Sequence, residues 1–146
     1  MLAGVGAPSA AANDMATTNA SIFDSVDVNG DGKISRQEII HFIDLVFIST
    51  DADGDGHLTV EEFLQWDPGY LAMAEGNDRA ADMNDVKRDI YGSRDLNGDG
   101  TLEHDEFSVA SLYDFYKAEV NHDRTLSQDE LLNHYQIIRR VRLAIR

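Results

Sequence analysis

Apolar residues recur at fixed offsets along this chain and mark out four similar units. Phe23, Phe47, Tyr91 and Phe115 each stand four residues ahead of a polar segment, and these segments begin at Asp27, Asp51, Asp95 and Glu119. Within every segment the eighth residue is aliphatic, as Ile34, Leu58, Leu102 and Leu126, and an apolar residue follows the segment, as Ile39, Phe63, Phe107 and Leu131. A repeat of this kind fixes the architecture before any propensity argument begins. It predicts an all-α protein with helices near 16–26, 36–50, 60–67, 78–94, 104–118 and 128–145, separated by polar loops.

The loop spacing carries further information. Loops 1 and 2 begin 24 residues apart, loops 3 and 4 likewise, and the two pairs are offset by 68 residues. The chain therefore reads as a duplicated loop–helix–loop unit, with halves at 21–67 and 86–134 and a connector at 68–85 inside one domain spanning 21–146. Asp67-Pro68-Gly69 should end one helix, because proline lacks an amide donor and disfavours helix in the residue before it. Gly76-Asn77-Asp78 then offers a break and an N-cap. Residues 39–50 and 107–118 leave room for one helix of roughly 20 Å between successive loops, which holds those loops at opposite ends. If the eighth-position aliphatics form short β-bridges, loop 2 pairs with loop 3, loop 1 pairs with loop 4, and the two connecting helices run antiparallel. Pairing between two chains of a homodimer is the alternative to this monomeric arrangement.

Charge narrows the partners. Twenty-seven acidic residues against 12 basic ones give a net charge of −15, which repels nucleic acid and anionic membrane surfaces and attracts cations. No cysteine is present, so disulfides and thiolate sites are excluded. The longest apolar run, Ile39 to Ile48, is interrupted by His41 and Asp44 and falls short of the roughly 20 residues that span a bilayer. Residues 1–20, rich in small side chains and free of Lys and Arg, read as a flexible leader. Their AGVGAPSAAAND stretch resembles the end of a secretory signal, which implies a periplasmic or secreted protein, with the cytoplasm as the alternative. No nucleophile–base arrangement and no Gly-rich phosphate loop after a strand is seen, so an enzyme is not expected.

The four segments read DVNGDGKISRQE, DADGDGHLTVEE, DLNGDGTLEHDE and EVNHDRTLSQDE. Side-chain oxygens at alternating positions, a glycine at position 6 and a glutamate at position 12 suit a hard cation that takes six to eight oxygen ligands. This pattern resembles the EF-hand superfamily from about Phe23 onward, which implies Ca2+ binding. The implied ligands in loop 1 are Asp27, Asn29, Asp31, the Lys33 carbonyl and Glu38, with Ser35 at a water position. Loop 2 offers Asp51, Asp53, Asp55, the His57 carbonyl and Glu62, and loop 3 offers Asp95, Asn97, Asp99, the Thr101 carbonyl and Glu106. Loop 4 offers Glu119, Asn121, Asp123, Thr125 and Glu130, but Glu119 replaces Asp at position 1 and Arg124 replaces the glycine at 6. A weaker fourth site is expected there. Crowded carboxylates repel one another without a cation, so metal and fold should be coupled.

The compressed spacing also resembles the lanmodulin family, whose members prefer trivalent lanthanides. That likeness is partial: where the family has proline at position 2 and Asp at position 9, loops 1–3 carry Val28, Ala52 and Leu96, then Ser35, Thr59 and Glu103. A lanthanide is thus the alternative ion. Two further expectations concern the helices. The run at 39–48 is apolar nearly all round, which predicts a buried core helix, or a surface offered to a protein partner on metal binding. The C-terminal segment places Arg139, Arg140, Arg142 and Arg146 among Ile137, Ile138, Val141, Leu143 and Ile145; it reads as the exiting helix of loop 4 docked on an acidic body. The function class is a calcium sensor or buffer, with a metal-stabilised structural or interaction module as the competing class.

Overall fold

The computed structural model describes the main chain of residues 3–146 and the side chains of residues 15–146. In chain order the elements are α1 (Ala3–Val26), β1 (Ile34–Ser35), α2 (Arg36–Thr50), β2 (His57–Leu58), α3 (Val60–Gln65) and α4 (Leu71–Gly76). There follow α5 (Ala80–Arg94), β3 (Leu102–Glu103), α6 (His104–Ala118), β4 (Thr125–Leu126), α7 (Gln128–His134) and α8 (Gln136–Ile145). The residues that set the sequence register form the core. The aromatics before each loop, the eighth-position aliphatics and the apolar residue after each loop are all buried in one cluster.

Two short antiparallel bridges organise the helices. Ile34 pairs with Leu126, joining loops 1 and 4, and Leu58 pairs with Leu102, joining loops 2 and 3. Both bridges close within one chain, as the spacing predicts, so no exchange between copies is needed to pair the loops. The connecting helices α2 and α6 run antiparallel. The start of α2 meets the end of α6 where Arg36 Nε donates to the Tyr116 hydroxyl at 2.7 Å, and the far ends meet where the Phe47 and Phe107 rings lie 5.9 Å apart.

Several expectations are corrected. The first helix begins at Ala3 rather than near 16, so the expected leader is helical over the described part. Its end is tied down, since Met15 packs against the core and Asn19 Oδ1 accepts a 2.6 Å hydrogen bond from the Tyr70 hydroxyl. The Asp67-Pro68-Gly69 break holds, with Asp67 Oδ1 accepting from the Gly69 and Leu71 amides. After it comes an unexpected helix, α4, which carries the fully buried Ala74 and directly follows the fully buried Tyr70. Asp78 is no N-cap: it sits at φ 56°, a region Asp tolerates, and α5 starts after Arg79 without a side-chain cap.

The long C-terminal helix is broken at Tyr135, whose extended backbone turns the chain back. The break buries the Tyr135 ring and lets Ile137, Ile138, Val141 and Ile145 pack, where a straight helix would carry them away from the body. Thus α7 alone exits loop 4, while α8 docks separately against α5, with Arg140 Nη2 2.6 Å from Asp89 Oδ2. Helix α2 is not buried all round either. Ile39, Ile43, Val46 and Phe47 face the core, but Leu45 and Ile48 are 52% and 69% exposed. No helix among the described residues is long and apolar enough to cross a membrane.

Candidate metal centres

All four loops are wound by the same hydrogen bonds, and the sequence supplies the acceptors. The position-1 carboxylate takes the position-6 amide: Asp27 from Gly32, Asp51 from Gly56, Asp95 from Gly100, at 2.8–2.9 Å, and Glu119 from Arg124. The position-3 side chain takes the position-5 amide, as Asn29 from Asp31, Asp53 from Asp55, Asn97 from Asp99 and Asn121 from Asp123. The position-5 carboxylate takes the position-7 amide, as Asp31 from Lys33, Asp55 from His57, Asp99 from Thr101 and Asp123 from Thr125. Short polar side chains bonding their own backbone two residues on are the turn chemistry expected of Asp and Asn.

This winding brings carboxylates together. Asp27, Asp31 and Glu38 converge in loop 1, Asp51, Asp53 and Glu62 in loop 2, and Asp95, Asp99 and Glu106 in loop 3, with oxygens within 4.8 Å of one another. Asp55 stands outside its loop's group of three. Asn29 and Asn97 sit at the third position of their loops, and Lys33, His57 and Thr101 lie at or beside the starts of the short strands. Among the described residues, no such three-carboxylate group forms in loop 4.

Glutamate at position 12 is held by a device that the sequence reading passed over. Ser35, Thr59 and Ser127 are N-caps, each accepting from the amide of Glu38, Glu62 or Glu130, while that glutamate takes the cap's own amide in return. The signal was present as S/T-x-x-E, a capping box, and these position-9 residues orient the carboxylates rather than only marking a place for water. The other oxygen of each glutamate reaches back across its loop, Glu38 to the Asn29 amide, Glu62 to the Ala52 amide and Glu130 to the Val120 amide. Desolvation pushes Glu38 up, but the hydrogen bonds from Ser35 and Asn29 leave it below the usual carboxylate range. The Thr59 amide, against desolvation, lowers Glu62 in the same way. Loop 3 lacks the box, because Glu103 occupies the cap position without a side-chain cap bond. Desolvation and the neighbouring Asp99 and Glu106 push Glu103 up. Asp53 is also raised: its backbone hydrogen bond from Asp55 lowers it, but desolvation and the nearby Asp55 and Glu62 carboxylates prevail.

The donor set fits a hard cation. Asp51 Oδ1 and Glu106 Oε2 are buried oxygens with no hydrogen-bond partner. A buried carboxylate oxygen left without a donor is costly, and a cation between the converging carboxylates removes that cost. Loop 4 keeps the winding but strains it. Where loops 1–3 carry glycine at positions 4 and 6, loop 4 places His122 at φ 61° and Arg124 at φ 69°. His122 is a departure beyond the two seen in the sequence, and both residues adopt a left-handed conformation that glycine enters at little cost.

A model of the EF hand family matches residues 19–43, 42–65 and 95–109. The matched repeats are similar to EF hands. The three matches support a place in the EF-hand calcium-binding superfamily, and they cover the three loops in which carboxylates converge. The fourth EF-hand-like loop lies outside the matched residues. No curated protein matches the chain.

Across the inner EF-hand pair, Tyr91 adds a contact that the repeat pattern could not reveal. Its hydroxyl donates to the Leu58 carbonyl at 2.7 Å and lies 3.0 Å from the Gly100 carbonyl, so one side chain touches both loops. Beside it, His57 Nδ1 is 3.4 Å from Glu103 Oε1 across the bridge.

Proposed function

We propose that the chain binds calcium through EF-hand loops 1, 2 and 3, one ion per loop, and that the bound ions form part of the folded structure. The observation that carries this reading is the convergence of three carboxylates in each loop, with buried, unpartnered oxygens at Asp51 and Glu106. The residues that would hold the ion are Asp27, Asn29, Asp31 and Glu38 in loop 1, then Asp51, Asp53, Asp55 and Glu62, and then Asp95, Asn97, Asp99 and Glu106. The carbonyls of Lys33, His57 and Thr101 would complete the sets. A bound cation supplies charge compensation, and no reaction is proposed. Because both loop pairs close within one chain, we propose a monomer.

Between sensor and buffer, the burial of the register residues in one core supports a buffer. Calorimetric titration of the stripped protein with calcium, magnesium and a lanthanide tests the whole reading. Three calcium ions per chain, bound more tightly than magnesium, are expected. Binding of one calcium or none would overturn it, and a lanthanide affinity far beyond that for calcium would favour the alternative ion. A rise in fluorescence of an apolar dye when calcium is added would instead favour the sensor.

A further inference from the structure

Among the described residues lies a cavity whose chemistry runs against the overall charge of the protein. It lies between α5, α6 and α8, beside the start of loop 3, where Arg94 and Leu96 flank Asp95, and has a volume of about 500 Å³. Pockets for small organic ligands occupy roughly 300–1,000 Å³ and combine apolar walls with a few placed polar groups. The apolar wall here consists of Ile90, Leu96, Val109, Ala110 and Tyr113. Three of these are large side chains left in solvent, Leu96 63% exposed, Val109 59% and Tyr113 63%. Apolar side chains gathered around one concavity differ from the scattered exposed residues of an ordinary surface.

The charged groups of the cavity are mainly cationic. Arg94, Lys117 and Arg140 line it against the single carboxylate of Asp114, in a protein whose net charge is −15. Arg94 is only 4% exposed, and its Nη2 sits 2.6 Å from Asp114 Oδ2. Its Nε has no hydrogen-bond partner, and neither does Gln136 Oε1, a second buried atom of a lining residue. A buried donor left unpaired is costly, and a ligand oxygen can satisfy it. Arg140 pairs with Asp89 at the rim. Lys117 makes no ion pair among the described residues; its Nζ lies 5.2 Å from the centre of the Tyr113 ring.

We propose that the cavity between α5, α6 and α8 binds a small organic anion with an aromatic or other apolar body. The body would lie against Leu96, Val109 and Tyr113, with its charge toward Lys117 and Arg94. The surrounding acidity makes the site selective, because an anion without an apolar part gains too little to enter a negative field, and the wall supplies that gain.

The test is an amide NMR titration of the calcium-saturated protein with naphthalene-2-sulfonate and with its neutral sulfonamide, two probes of nearly the same shape. Both should shift the amides of Leu96, Val109, Tyr113 and Gln136, with the sulfonate binding more tightly and losing its advantage as salt rises. Lys117→Gln should weaken the sulfonate about threefold and leave the sulfonamide unchanged, the size expected for one exposed ion pair. Val109→Glu, at an exposed position that should not disturb folding, should weaken both probes. The proposal fails if neither probe shifts these amides at millimolar concentration, if the shifts centre elsewhere, or if Lys117→Gln affects the two probes equally.

Discussion

The Tyr91 hydroxyl donates to the Leu58 carbonyl at 2.7 Å, tying the helix that enters loop 3 to the strand that leaves loop 2. Phe23, Phe47 and Phe115 hold the equivalent places in the other units and carry no hydroxyl. Burial first, and then the carboxylates of Asp95 and its neighbours, push Tyr91 up to about 12, so the donor stays protonated at any physiological pH. Tyr91→Phe keeps the ring but leaves the buried carbonyl without its partner. The variant should lose about 1–2 kcal/mol of stability in urea denaturation with calcium present. An unchanged midpoint would mean that the ring alone matters.

Coupling between sites should follow the bridges rather than the order of the chain. Loops 2 and 3 share the Leu58–Leu102 bridge, whereas loops 1 and 3 share none. Glu62→Gln combined with Glu106→Gln should therefore show an interaction of about 0.5 kcal/mol or more in calcium affinity. Glu38→Gln with Glu106→Gln should be near-additive, and Glu38→Gln with Glu130→Gln should couple if loop 4 holds an ion. Calorimetry on the single and double variants reads all three.

Loop 4 should improve when its strain is removed. Arg124 holds φ 69°, so Arg124→Gly places there the one residue that adopts this conformation freely. We expect the metal-free protein to gain about 1 kcal/mol, and the calcium titration to acquire or strengthen a fourth step. A loss of stability would show that the Arg124 side chain contributes more than its backbone costs.

Lys87 gives a pH signature. It is fully buried on α5, and its Nζ donates to the Leu64 carbonyl at 2.7 Å and to the Trp66 carbonyl at the end of α3. Burial lowers it to about 8, against the opposing pull of Asp67. An unfolded lysine titrates near 10.4, so between these values the unfolded chain holds more protons and stability should rise with pH. The contribution is complete above the unfolded value and lost as pH falls through about 8. Tyr70 and Tyr91, raised to about 12, act oppositely, but only above about pH 10, where unfolded tyrosines ionise. From pH 7 to about 9.5, wild type should therefore gain stability relative to Lys87→Met. Parallel curves for the two proteins would count against a charged, buried amine.

How much was legible depended on whether a feature left a periodic trace. The gathering of carboxylates in loops 1–3, the core register and the nested pairing followed from residues repeated at fixed offsets, such as Ile34 with Leu126. The turn at Tyr135 left no such trace, because no Gly or Pro marks it and its cause is burial against α5, which only the assembled fold provides. Asp78 was misread because Asp suits both an N-cap and a left-handed residue, and the choice depends on where α4 ends. The apolar face of α2 predicted burial, yet Leu45 and Ile48 remain in solvent. The hydroxyl of Tyr91 was invisible in a position defined only as aromatic.

The nesting of the bridges has a consequence for how the chain can be divided. The inner bridge, Leu58 with Leu102, lies wholly within the span closed by the outer bridge, Ile34 with Leu126. Doubling the length of a closed loop adds only about 0.6 kcal/mol of entropy cost, so assembly from the inside outward is favoured, though only mildly. A cut in the connector would separate loops 1 and 2 from loops 3 and 4, leaving each piece with two unpaired loops at opposite ends of one helix. Neither piece is a miniature of the whole. The two should act as complementary fragments, poorly ordered alone and reconstituting the native pairing when mixed with calcium, so that a nicked chain would stay together until the ion is withdrawn.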